Sequence, residues 1–231
     1  MTYKHLFFDL DHTLWDFEQN AAECLADIYD NFKLKSLNIN SLDDFCKEFS
    51  AVNKHYWSLL ERNEITHEVL RQKRFQDTFI NLGAVIDENF GSEINEYFLE
   101  LLPTKAHLIA GAVELLDYLL PKYELHIISN GWQDIQVNKM KSSEIHHYFD
   151  KIITNELAGT RKPDRRIFDY AIEVTKANLV QSLMIGDNYE ADILGAMSAN
   201  MDTVFYNPDN IPTGQKPTFE VKQLIELIGI L

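Results

Sequence analysis

Positive charge is what this sequence is short of. Its 231 residues hold 21 lysines and arginines against 36 aspartates and glutamates, a formal net charge of −15. Such a surface repels the phosphate backbone of DNA and RNA, so a nucleic acid polymer is excluded as a partner. A small anionic metabolite is still admissible where a metal ion or a local Lys reverses the field. Cysteine is nearly absent. Cys24 and Cys46 make no CxxC pair and no Cys/His spacing, and both fall in segments of helical periodicity, which reads as packing in a reducing compartment. No apolar run approaches the roughly 18 residues of a membrane span. The N-terminus lacks a signal-peptide pattern, because Asp9 and Asp11 interrupt its apolar run early. No membrane association and a cytoplasmic location are therefore expected. Repeats and low-complexity segments are missing too, while an apolar fraction of 45% supplies core material for a globular fold.

What is present is organised around Lys4 to Trp15, KHLFFDLDHTLW. His5 to Phe8 is a short apolar run suited to a buried strand, and it ends at a carboxylate. Asp9 and Asp11, two apart on extended chain, point the same way. From Asp16 to about Leu102 the pattern becomes helical. Helices are expected over 16–32, from Ser41 to about Arg62 with Ser41 and Asp44 resembling a capping box, over 66–82 before Gly83, and over 87–102 before Pro103. Arg62, Arg71 and Arg74 read as solvated faces of these helices. After Pro103 strands and helices alternate: strands at 124–129, 151–154, 183–186 and 203–206, helices at 112–120, 133–142, 164–176 and 190–200, and a closing helix in the tail to Leu231. That alternation predicts an α/β fold with a Rossmann-like parallel sheet. The first strand needs this sheet to pair with, so the helical block is an insertion. Residues 1–15 and 103–231 are expected to form the α/β core, and residues 16–102 an all-helical domain.

Four polar clusters fall at the ends of the expected strands. They are Asp9 with Asp11; Ser129, Asn130 and Gly131; Lys162 before Pro163; and Asp187 with Asp192. Taken singly, each is an ordinary turn or strand exit. Taken together they describe a phosphate site: carboxylates for a hard cation such as Mg²⁺, and a hydroxyl, turn amides and an ammonium for phosphate oxygens.

The order DLDHT, SNG, KP, GDNYEAD resembles the four motifs of the haloacid dehalogenase superfamily, with a helical cap inserted between the first two. The resemblance implies a Mg²⁺-dependent phosphomonoesterase acting on a small phosphorylated metabolite. Asp9 is then the nucleophile and becomes a phosphoaspartate. Asp11 protonates the leaving alkoxide and later deprotonates water. Ser129, Asn130 and Lys162 hold the phosphoryl group. Asp9, the Asp11 main-chain carbonyl and Asp187 bind the metal, with Asp192 in support. An acid at position 11 favours a phosphatase over a dehalogenase. His12 stands where the superfamily commonly has Gly, and reads either as a turn spacer at positive φ or as a base.

Within the superfamily, FFDLDHTLWDF, AVNKHYW, SNGW and GDNYEADILGA are similar to the pyrimidine nucleoside monophosphate 5'-nucleotidases. On that likeness Trp132, Asn53, Lys54 and Trp57 are candidate substrate contacts, with core packing of the insert the other reading of Trp57. A phosphatase for another metabolite, a sugar phosphomutase and a phosphate-binding regulator without turnover are the competing readings. Oligomeric state is open between monomer and weak dimer.

Overall fold

The computed structural model describes residues 3–87 and 89–231. The chain forms two compact units, residues 1–17 with 106–231, and residues 18–105.

The first unit is built on six parallel strands: β1 (His5–Phe8), β2 (Glu124–Ser129), β3 (Lys151–Thr154), β4 (Ser182–Gly186), β5 (Asp202–Tyr206) and β6 (Phe219–Val221), in the spatial order β3-β2-β1-β4-β5-β6. β1 is central: Phe8 stands in register with Ile127 of β2 on one side and Ile185 of β4 on the other. All four of its residues are buried, as are all five of β4, which is why both read as unbroken apolar runs. Helices α5 (Ala112–Leu119), α6 (Gln133–Ser142), α7 (Asn155–Ala158) and α8 (Arg165–Thr175) fall between the strands, and α9 (Gly195–Ser198) continues a π-helical turn over Tyr189–Leu194. On one face Phe7, Ile128, Ile153 and Met184 pack with Ile167, Phe168 and Ala171 of α8. Because the chain leaves β1 toward β2 and reaches β4 on its other flank only later, the order reverses beside β1. Ligand sites in open α/β sheets lie at that reversal, outside the carboxyl ends of the strands.

The tail differs from the helix expected there. Phe219–Val221 adds an edge strand to β5, and only a 3₁₀ segment, Leu224–Gly229, follows it, its start closed by reciprocal bonds between Gln223 and Glu226. Three residues of alternation are too few to read as a strand until pairing with Val204 to Tyr206 buries Val221.

The second unit is helical: α1 (Phe17–Asn31), which begins at the unit boundary, α2 (Leu42–Glu61), α3 (His67–Asn81) and α4 (Phe90–Leu101). Side-chain caps set two of the starts. Ser41 Oγ accepts from Asp44 N at 3.1 Å, and Thr66 Oγ1 accepts from Val69 N at 3.3 Å. Gly83, at φ +74°, follows α3 in the left-handed conformation that ends helices. The expected helix over 87–102 begins at Phe90, where Asp87 Oδ1 accepts from the amides of Asn89 and Phe90; Glu88 lies outside the described residues. The interior is a stack of phenylalanines, with Phe49 and Phe75 rings 4.6 Å apart and Phe75 and Phe98 rings 5.4 Å apart.

Arg74 corrects the expectation of a solvated face. It is 2% exposed and lies over the rings of Phe98, Phe75 and Phe49 at 5.0, 5.7 and 5.9 Å. Its Nε donates to Asn95 Oδ1 at 2.8 Å and its Nη1 to Asn53 Oδ1 at 3.2 Å. Burial pulls its guanidinium down to about 9, with Arg71 adding to the effect. The helical spacing does place residue 74 on the apolar face beside Leu70, Phe75 and Thr78; only its residue type argued for solvent. Arg62 is exposed and Arg71 half-buried. Among the described residues no helix is long and apolar enough to cross a membrane.

Candidate active site

The four polar clusters meet at the carboxyl ends of β1, β2 and β4 and just past β3. Asp9 follows β1 directly, its amide donating to Ile185 O at 2.9 Å and so continuing the ladder to β4. Leu10 to Trp15 then turn tightly, with His12 N bonded to Trp15 O and Trp15 N to Leu10 O at 2.9 and 2.8 Å. His12 sits at φ +63°, so the conformation that glycine supplies elsewhere is taken here by an imidazole, whose ring rests 5.0 Å from that of Phe17. No role as a base is needed to account for it.

Lys162 is the hub. It is 2% exposed, and its ammonium donates to Asp9 Oδ1 at 2.5 Å, to Asp192 Oδ1 at 2.6 Å and to Ile128 O at 2.7 Å, which uses all three of its protons. Asn130 fixes the backbone beneath it: its Oδ1 accepts from Lys162 N at 2.8 Å and its Nδ2 donates to Lys162 O at 2.9 Å. The Asn130 side chain, expected near phosphate, thus serves as the brace of the lysine. Asp187 accepts from Thr13 Oγ1 at 2.8 Å, and Asp192 Oδ2 accepts from Asn188 N at 3.0 Å. Gly186 is obligatory where it stands, since a Cβ there would overlap the Asp192 carboxylate.

Asp9, Asp187 and Asp192 each offer a carboxylate oxygen within 4.8 Å of the others. With Lys162 as the one ammonium among them, ionising all three leaves two charges uncompensated. Burial is the first cause pushing Asp9 up to about 7, against the pull of Lys162 and with repulsion from Asp192 adding to it. Burial likewise raises Asp187 to about 6, with repulsion from Asp9, and Asp192 to about 6 against the attraction of Lys162. A compact, acid-rich oxygen set in that condition fits a hard divalent cation, which favours the ionised forms and supplies the missing charge.

Asp11 belongs to a second network. Its Oδ1 accepts from Lys139 Nζ at 2.6 Å and its Oδ2 from Gln136 Nε2 at 2.8 Å, and the same Gln136 amide donates to Ser129 Oγ at 2.7 Å. Burial would push Asp11 upward, but Lys139 and the two hydrogen bonds hold it below the usual carboxylate range. The tuning expected of a general acid therefore runs the other way in this conformation. Lys139 also lies over the Trp15 ring at 4.4 Å. Gln136 and Lys139 were not among the sequence candidates. Their one signal is a three-residue spacing on the helix that follows the Ser129 turn.

Trp132 precedes that helix and is buried at 8% exposure. Asn53, Lys54 and Trp57 lie on α2 of the helical unit. Asn53 is buried on Arg74, Lys54 is exposed, and Trp57 is half-buried with its ring edge-on to His67 at 6.2 Å.

Comparison with known proteins agrees with this arrangement. Pyrimidine 5'-nucleotidase PynA of Streptococcus pneumoniae is 32% identical over 235 residues, covering 100% of this chain and 96% of that protein. Pyrimidine 5'-nucleotidase YjjG of Escherichia coli is 30% identical over 100% of this chain and 99% of its own. Among solved structures, the magnesium-bound putative HAD-hydrolase YfnB of Bacillus subtilis superposes with a TM-score of 0.89 at 28% identity, covering 100% of this chain and 99% of that one. The family model for haloacid dehalogenase-like hydrolases matches residues 6–206, a span that takes in all four clusters around Lys162, and the chain belongs to that family.

Proposed function

We propose that this chain hydrolyses phosphate monoesters through a phosphoaspartate at Asp9, with pyrimidine nucleoside monophosphates as its substrates. The observation that carries the chemistry is the convergence of Asp9, Asp187 and Asp192 on Lys162 at the sheet's reversal point. The substrate class rests on the two nucleotidases similar over the full chain.

In this reading Asp9, Asp187 and the main-chain carbonyl of Asp11 hold Mg²⁺, which offsets charge between the nucleophile and the phosphate dianion when bound. A carboxylate oxygen of Asp9 bonds to phosphorus as the bond to the ester oxygen breaks, and Asp11 delivers its proton to the departing alkoxide. Asp11 does so once its carboxyl has turned from Lys139, because that ammonium favours the anion. Asp11, now ionised, takes a proton from water as the water oxygen bonds to phosphorus. The bond from phosphorus to Asp9 breaks, and inorganic phosphate leaves. The Ser129 hydroxyl, and Lys162 once it turns a proton from Asp9, hold the phosphoryl oxygens as charge shifts among them, with Asn130 bracing the lysine backbone. The helical unit, residues 16–102 by the sequence reading, is assigned the choice of substrate. Lys54, Trp57 and Trp132 are assigned to the nucleoside, while Asn53 serves as scaffold for Arg74.

Asp9→Asn should lower kcat on p-nitrophenyl phosphate by more than about 10³-fold with an unchanged circular dichroism spectrum. Activity near the wild-type level in that variant would overturn the mechanism. Ranking UMP, dUMP and dTMP against sugar phosphates by kcat/KM tests the substrate class, which falls if all three nucleotides are poor.

A further inference from the structure

At the amino end of the sheet, β1 and β2 bring together a second group of ligating side chains. Residues two apart on a strand share a face, so Glu124 and His126 point to the same side of β2. His5 is the register partner of Glu124, which sets it on that same face of β1, beside both. His5 Nδ1 lies 3.2 Å from His126 Nε2 and 3.7 Å from Glu124 Oε2. The three ligand atoms all fall within 4.8 Å of one another. Two nitrogens bound to one tetrahedral ion at ordinary Zn–N distances stand about 3.3 Å apart, nearly the separation already present.

The facing nitrogens are also placed to accept an ion. His126 is 0% exposed and its Nδ1 has no hydrogen-bond partner. The contact with His5 makes one ring the donor and the other the acceptor, so the two facing nitrogens share a single proton. A cation between the rings would draw on both facing lone pairs, the proton of the donor ring moving to its other nitrogen. Glu124 is exposed, with a side chain 63% accessible, so an ion has a path in and a fourth position open to water.

We propose that His5, Glu124 and His126 form a binding site for a transition-metal ion of the Zn²⁺ class, distinct from the acidic cluster around Asp9. Two imidazoles and one carboxylate favour Zn²⁺ over Mg²⁺, whereas an oxygen-only set favours Mg²⁺, so the two ends of β1 discriminate between metals. Four residue steps along the strand separate His5 from Asp9, a distance of about 13 Å, and the distal ion takes no part in phosphoryl transfer. It ties the first strand to β2 across the inserted helical unit.

Co²⁺ added to metal-stripped protein in saturating Mg²⁺ reads this site by its intense visible d–d absorption in low coordination. Wild type and Asp9→Asn should each show one equivalent, displaced by Zn²⁺. His5→Gln and Glu124→Gln should each weaken binding at least about 10-fold while keeping p-nitrophenyl phosphate turnover, and Zn²⁺ should raise the melting temperature of wild type but not of His5→Gln. His126→Gln should behave alike, and the other two substitutions stand without it if it does not fold. Absence of a saturating Co²⁺ spectrum in wild type, or the same spectrum and affinity in His5→Gln, would overturn the proposal.

Discussion

Lys139 shows how much of a site hangs on residues that touch no reacting atom. Its ammonium holds Asp11 at 2.6 Å and is itself 3% exposed, so removing it strands a buried carboxylate. Lys139→Met should cost about 3 kcal/mol in urea denaturation, and adding Asp11→Asn should recover most of that, because the penalty is the unpaired charge. Equal losses in the single and double variants would show that Lys139 acts through its packing on Trp15 instead. Asp9, Ser129 and Asp187 were legible in the sequence because each closes or directly follows an apolar run of strand length, and Lys162 because it stands as a cation before Pro163 and a helix start. Lys139 and Gln136 were not, because the face of α6 that meets Asp11 is chosen by tertiary packing, and nothing in the composition of 133–142 singles that face out. Arg74 was misread for the opposite reason: its charge argued for solvent, but three phenylalanine rings and two amides replace water around it.

Among the elements, those with explicit stop and start signals were the legible ones. The helices begun by Ser41 and Thr66 and ended before Gly83 fall within a residue of expectation, and helix α6 coincides with it. Thr66→Ala should lower the stability of the helical unit by about 1 kcal/mol, the usual worth of a cap. Phe75→Ala, which empties the centre of the phenylalanine stack, should cost about 4 kcal/mol. Urea titration followed by circular dichroism checks both, and a Phe75→Ala loss no larger than that of Thr66→Ala would mean the stack is not the unit's core. The edge strand β6 was illegible because three residues carry no period of their own, and its pairing partner is set only once β5 is in place.

For the whole molecule, the raised carboxylates give pH dependence a definite sign. Asp9 near 7, with Asp187 and Asp192 near 6, retain protons that the unfolded chain releases near 4. Their contribution to stability is complete below about 4 and is lost as pH rises through 6 to 7. A divalent cation competes with those same protons. The rise in melting temperature on adding Mg²⁺ should therefore be larger at pH 8 than at pH 5.5, and Asp187→Asn should reduce it at both. A Mg²⁺ effect independent of pH would place the ion elsewhere.

The order of the sheet also bears on how the protein is made. Phe8 finds its register partner at Ile127 on one side and at Ile185 on the other, so the ribosome must add well over a hundred residues before β1 has both neighbours. At about 5–20 residues per second that is roughly 9–35 s, during which α1 to α4 emerge and can pack among themselves. The segment that carries Asp9 is thus made long before the strand that closes its second side. A nascent chain stalled before β2 would hold the whole helical unit and an orphaned apolar strand, an obvious hold for a chaperone.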